Sequence, residues 1–480
     1  MATEQNKNKD ADYWNKALFI GSRVSDLVSR MTLAEKAGQL FQTMTMVDPR
    51  ATLAPAQPVF NLESTQDLLS RKHLSHFNLM GQVEDSRTVA LWHNNLQYHF
   101  VENIGTAFKA GSMSLWPEFL GFAALRDVEL AEKFADIVRQ EYLALGLRVA
   151  LHPQVDLATE YRWSRINNTF GEDADLIGEL VLGYIRGFQG KDGLSVGPHS
   201  VSTMTKHFPG GGPQLDGENP HFQYGREQVY PWKNFRYHLE PFKKAIAAGT
   251  RQIMPYYGMP VGTAFEEVGF AFNQQIITDL LRKELGFNGI ICTDWGLVTD
   301  ATIMGQPMPA RAWGCEDLTP VDRVQRILEA GCDQFGGEAC PELVIQLVEE
   351  GLVPMARVNE SVSRLLREKF ALGLFDNPFV DVDAAAKIVG HPDFVKAGEL
   401  AQRGSYTLLK NKNNILPLSL ETISETCKIY VEGIDPGILQ CRGLTTVPFF
   451  QDAVRNGRSD MPFDTEDPVY RFGDGLGYKV

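Results

Sequence analysis

The chain has 480 residues, 46 basic against 60 acidic, for a net charge of −14, with 44% hydrophobic and 22% charged residues. That is the composition of an ordinary globular protein, long enough for two domains at roughly 100–200 residues each. It offers no basic tract to follow a phosphate backbone and no apolar run near the ~20 residues that cross a bilayer, so neither nucleic acid nor membrane is an expected partner. The opening MATEQNKNKDADYWNKA lacks the apolar segment of a secretory leader, so a cytoplasmic location is expected.

Taken in order, the apolar pattern alternates between two periods from Ser22 to Phe375. Asp127 precedes Leu130, Phe134, Ile137 and Val138 at helical spacing, and Gly146 ends the run. LRVALHP then reads as a strand. Asn273 caps a second helix through Ile276, Ile277, Leu280 and Leu281, stopped by Gly286, which feeds directly into IICTD. Thr319 and Pro320 supply a cap and a first-turn proline; Val324, Ile327 and Leu328 follow, then Gly331 and the strand-like CDQF. Strand and helix in repeated alternation predict a parallel sheet, and its closed form at this length is a (β/α) barrel. Asn-Pro and Asp-rich text from Asp376 onward reads as a linker.

Polar groups stand where four of the apolar runs end: Asp156, Lys206 with His207, Tyr256 with Tyr257, and Asp294. Barrels carry their chemistry at the C-terminal strand ends, so one shared pocket is expected. Asp294 taken alone is a helix cap, half of an ion pair, or a reacting group. The run KHFPGGG lacks the G-x-x-x-x-G-K-[ST] spacing of a phosphate loop, and no G-x-G-x-x-G follows a strand. A lysine and a histidine ahead of close-packing glycines suit sugar hydroxyls better. Six cysteines form no C-x-x-C pair and read as buried free thiols; His152, His199, His207 and His221 are scattered. Neither a metal nor another cofactor is expected.

KHFPGGG, with TDWG downstream, resembles glycoside hydrolase family 3, the β-glucosidase-like group. DLVSRMTLAEKAGQL, RWSRINNTFGED, PFKKAIAAGTRQIMPYYG, LLKNKNNILPL and FGDGLGY are similar to further family blocks in the same order. The resemblance implies an α/β fold: a (β/α)8-type TIM barrel over 14–375, complete or short of one element, a linker over 376–404, and a truncated α/β sandwich over 405–480. It implies a retaining, exo-acting β-glycosidase working on a small carbohydrate substrate. Asp294 matches the nucleophile. Arg165, Lys206 and His207 match residues that hold the sugar, Tyr257 the tyrosine beside the nucleophile, and Trp295 a wall of the pocket. Ser164 replaces the usual glycine of the W-G-R block, and Gly211 stands where one branch of the family has histidine.

For the proton donor, Glu218 on the loop after the glycines is the first candidate and His221 the second. An acid on a loop entering the site has its pKa raised by desolvation. Two departures define the alternative reading, an impaired sugar-binding relative. ALWHNNLQYHFVENIGTAFKAGSMSLWPEFLG runs through without the family's G-I-P strand and the aspartate that clasps the sugar. The sandwich is also too short to bury more than a marginal core alone. The pattern is silent on oligomeric state, on which sugar is bound and on its linkage.

Overall fold

The computed structural model describes residues 11–417, apart from 84, 98–101, 111–112, 191–195, 304 and 415. Eight parallel strands follow one another around a single sheet: β1 Phe41–Met46, β2 His76–Val83, β3 Glu102–Ala110, β4 Leu147–Ala150, β5 Ser202–Phe208, β6 Gln252–Pro255, β7 Ile290–Ile291 and β8 Phe335–Gly336. β8 pairs with β1 on one side, Phe41 opposite Phe335. On the other side the bridge between Cys292 and Gln334, with Thr293 N donating to Gln334 O at 2.9 Å, joins it to the end of β7. The fold is a (β/α)8 barrel. The strand that the sequence pattern did not reveal, ahead of the Ser114–Leu120 region, is β3, paired with both β2 and β4.

The predicted helices form for the predicted reasons. Asp127 accepts from Leu130 N to start helix Val128–Leu145, and Gly146 ends it at φ 78°, a left-handed value that favours glycine. Thr319 accepts from Asp322 N and Pro320 fills the first position of helix Pro320–Ala330. Asn273 Oδ1 accepts from Ile276 N at 3.1 Å, but the helix it starts, Gln275–Glu284, is wound as a π-helix. Inside the strands a separate apolar cluster of Val149, Leu151, Met204, Met254 and Cys292 packs beneath Trp295. The barrel is thus filled with side chains, as this fold requires.

At the start of β8 lies a buried ionic knot. Asp333, fully buried, accepts from Ser361 Oγ and Arg364 Nη1 through Oδ1, both at 2.9 Å. Its Oδ2 accepts from Arg282 and from Ile291 N. Both carboxylate oxygens are therefore satisfied.

The stretch 376–404, expected to be a linker, is part of the compact unit that ends at Ser405. It carries helices Val382–Ile388 and Pro392–Ser405. Arg23 pairs with Asp376 at 2.8 Å, Asn94 bonds both the N–H and the C=O of Val380, and Glu141 Oε1 accepts from Gly390 N. Anchors at that density hold the segment to the barrel. The second unit begins at Tyr406; within it the Asn411 side chain bonds the backbone of Leu416 on both sides. The expected sandwich, with Cys427 and Cys441, lies outside the described residues. Cys292, Cys315, Cys332 and Cys340 are free and buried. Among the described residues no helix is long and apolar enough to cross a membrane.

Candidate active site

Three of the strand-end groups meet through the backbone of β5. Past Pro153 the chain runs alongside it, Val155 N donating to Lys206 O at 2.7 Å. That pairing brings Asp156, fully buried, next to His207. Asp156 Oδ2 lies 2.8 Å from His207 Nδ1, and its Oδ1 accepts from the backbone N–H groups of His207 and Gly211. His207 Nε2 lies 3.1 Å from Arg165 Nη1 and 4.0 Å from Asp294 Oδ2. Burial pushes the Asp156 carboxyl up to about 6, against the pull of the Gly211 N–H and of Arg165.

The glycines of KHFPGGG have a steric reason. A Cβ on Gly211 would meet the buried Tyr256 ring at 2.7 Å, and one on Gly212 would sit 1.6 Å from Leu157 O. The histidine that one family branch carries at the position of Gly211 has no room here.

Asp294 follows β7 and is 8% exposed. Its Oδ1 accepts from Trp295 N at 2.8 Å, while its buried Oδ2 has no hydrogen-bond partner. Burial raises its pKa; Lys206, the Trp295 N–H, Arg165 and Tyr257 each oppose that rise. The Tyr257 hydroxyl accepts from Trp295 N at 2.9 Å and donates to Trp295 O at 2.8 Å. Burial and the charge of Asp294 hold this phenol well above its usual pKa, so it remains a neutral donor. Trp295 lies over Gly336 and Gly337, where a Cβ would come within 2.6 and 2.8 Å of the indole.

Of the proton-donor candidates, Glu218 follows the tight turn Leu215–Gly217, half-buried, its N–H donating to Leu215 O and its C=O accepting from Gln214. His221 packs against Tyr257: their ring centroids are 4.6 Å apart, and the His221 Nδ1 bonds Asn219 Oδ1 at 2.6 Å. The structure thus brings Arg165, Lys206, His207, Tyr257, Trp295 and Asp294 together, with His221 at their edge. Two features of the site go beyond the sequence reading. Asp156 was visible as a strand-end acid but had no assigned partner. Arg311 carried no signal at all; it sits 5.3 Å from the Tyr257 ring and donates to Trp295 O and His221 O. Among the described residues no group of three or more His, Cys, Asp or Glu is placed to hold a metal.

Residues 32–368 match the model of the glycosyl hydrolase family 3 N terminal domain. The chain is 50% identical over 464 residues to a probable beta-glucosidase C of Aspergillus oryzae, covering 93% of this chain and 71% of that one. It is 36% identical over 496 residues to a periplasmic beta-glucosidase/beta-xylosidase of Dickeya chrysanthemi, covering 96% and 74%. Among solved structures, a β-glucosidase from Erythrobacter marinus superposes with a TM-score of 0.68 at 22% identity, over 85% of this chain and 52% of that one. The chain spans about half the length of that structure. The matched domain, the ordered motifs and the barrel agree: this chain belongs to glycosyl hydrolase family 3, a family of hydrolases of O-glycosyl bonds.

Proposed function

We propose that the protein is a retaining, exo-acting β-glycosidase that removes terminal β-linked sugars, with Asp294 as nucleophile. The observation that carries this reading is the buried Oδ2 of Asp294, which has no hydrogen-bond partner. It belongs to a carboxylate that Lys206 and Arg165 favour in its charged form. A retaining enzyme needs such an oxygen to attack the anomeric carbon and form a glycosyl-enzyme. Its relatives, named as β-glucosidases and a β-glucosidase/β-xylosidase, support glucosides and xylosides as the substrates to try first. Arg165, Lys206 and His207 hold the ring hydroxyls, and Trp295 offers its face to the sugar's C–H surface.

Glu218 is the proposed proton donor. The contact between the His221 and Tyr257 rings favours His221 as a second reading. The sugar-binding alternative draws no support from a site in which nucleophile, cations and tyrosine are gathered.

Aryl β-glucosides and β-xylosides of graded leaving-group ability test these roles. Loss of the donor slows poor leaving groups far more than good ones, because only the former need a proton. Glu218→Gln is expected to show that pattern and His221→Gln to lack it. The reverse result moves the role to His221. No turnover of any aryl glycoside by the folded protein overturns the proposal.

A further inference from the structure

Asp156 has no place among the groups that touch substrate, yet it is the most completely buried acid in the site and makes three hydrogen bonds there. Its effect is transmitted through His207. Arg165 can only donate, and its Nη1 lies 3.1 Å from His207 Nε2. A proton on Nε2 would set N–H against N–H at hydrogen-bonding distance. The Asp294 Oδ2 is 4.0 Å from Nε2, beyond a hydrogen bond. The proton therefore sits on Nδ1, where Asp156 Oδ2 accepts it at 2.8 Å.

We propose that Asp156 is a positioning residue: its carboxylate holds His207 as the Nδ1–H tautomer, so that Nε2 accepts from Arg165 and anchors the guanidinium beside Asp294. Its Oδ1 fixes the same imidazole a second way. It takes the His207 N–H and the Gly211 N–H, which sets the turn that carries the ring. A carboxylate that orients an imidazole in this way acts without touching the substrate. The kinetic part of this inference rests on the proposed glycosidase reading; the tautomer does not.

The first test therefore uses the unsubstituted full chain. With histidine 15N-labelled and the His207 resonances assigned by comparison with His207→Gln, the shifts are expected to report a protonated Nδ1 and a bare Nε2. A protonated Nε2 overturns the proposal, whatever the protein hydrolyses. The second test is Asp156→Asn, which keeps the shape and offers an amide N–H to Nδ1. The expected result is a shift of the proton to Nε2, with kcat/KM lowered at least about tenfold, the scale on which orienting partners act. An Asp156→Asn protein with the native tautomer and native kcat/KM contradicts it.

Discussion

Two buried aspartates beside β7 show how the same side chain serves opposite ends. Asp333 has both oxygens taken, by two arginines, a serine and a backbone N–H. Asp294 has one oxygen taken by the N–H of Trp295 and one left over. Burying a carboxylate is costly unless its lone pairs are met. The first carboxylate offsets that cost within the fold. The second leaves part of it standing, as the proposed role of attacking a substrate carbon requires. Arginines surround the structural acid at hydrogen-bonding range, whereas at Asp294 the cations act through the field and leave Oδ2 open.

Replacement of the two residues should separate these ends. Asp294→Ala is expected to lower kcat/KM by more than about 10⁴-fold, the scale of losing a nucleophile. Its stability should hold or rise, since an unmet buried acceptor is removed. Thermal unfolding and aryl glucoside turnover, measured on the same sample, check both halves. Asp333→Ala leaves Arg282 and Arg364 facing a gap. It should cost about 3–5 kcal/mol in urea unfolding, while the molecules that stay folded keep their kcat. A stable Asp333→Ala protein, or an Asp294→Ala protein that unfolds more easily, would erase the distinction.

Gly211 tests the packing next to the site. Gly211→Ala drives a Cβ into the Tyr256 ring and should cost about 1–3 kcal/mol. Because Gly211 N is bonded to Asp156, turnover should fall with it; unchanged turnover and melting temperature would mean the ring gives way. The smallest expected effect is in the pH profile. Asp294 and Asp156 both act ionised, and burial raises the pKa of each, Asp156 to about 6. As pH falls through about 6 the Asp156 carboxylate takes up a proton, so kcat/KM should drop about tenfold between pH 7 and pH 5. A flat acid limb down to pH 4 would show that neither carboxyl is raised.

Much of the site was legible because barrel chemistry collects at strand ends. Asp156, Lys206, His207, Tyr257 and Asp294 each close an apolar run, and a pattern of that kind survives without coordinates. Their partnerships were not legible. Nothing in one dimension tells Asp156 that His207 is its neighbour, since the pairing depends on β4 continuing beside β5 past Pro153. Strand β3 escaped because ENIGTAFKA alternates too weakly to read as one. The 376–404 segment was mistaken for a linker because Asn-Pro and Asp read as breakers, while its anchors, Arg23, Asn94 and Glu141, lie hundreds of residues away. Gly211 looked like a missing histidine; it is a position where Tyr256 and Asp156 leave no room for a side chain.

The central claim, that the open oxygen of Asp294 attacks the sugar, is tested most directly by trapping. A 2-deoxy-2-fluoro-β-glucoside with a good leaving group lets the glycosyl-enzyme form and slows its hydrolysis. Peptide mass analysis should find the added sugar on Asp294, within GFNGIICTDWG, and no label on the Asp294→Ala protein. Label on any other carboxylate, or turnover of the unfluorinated glucoside by Asp294→Ala at the native rate, would contradict the account.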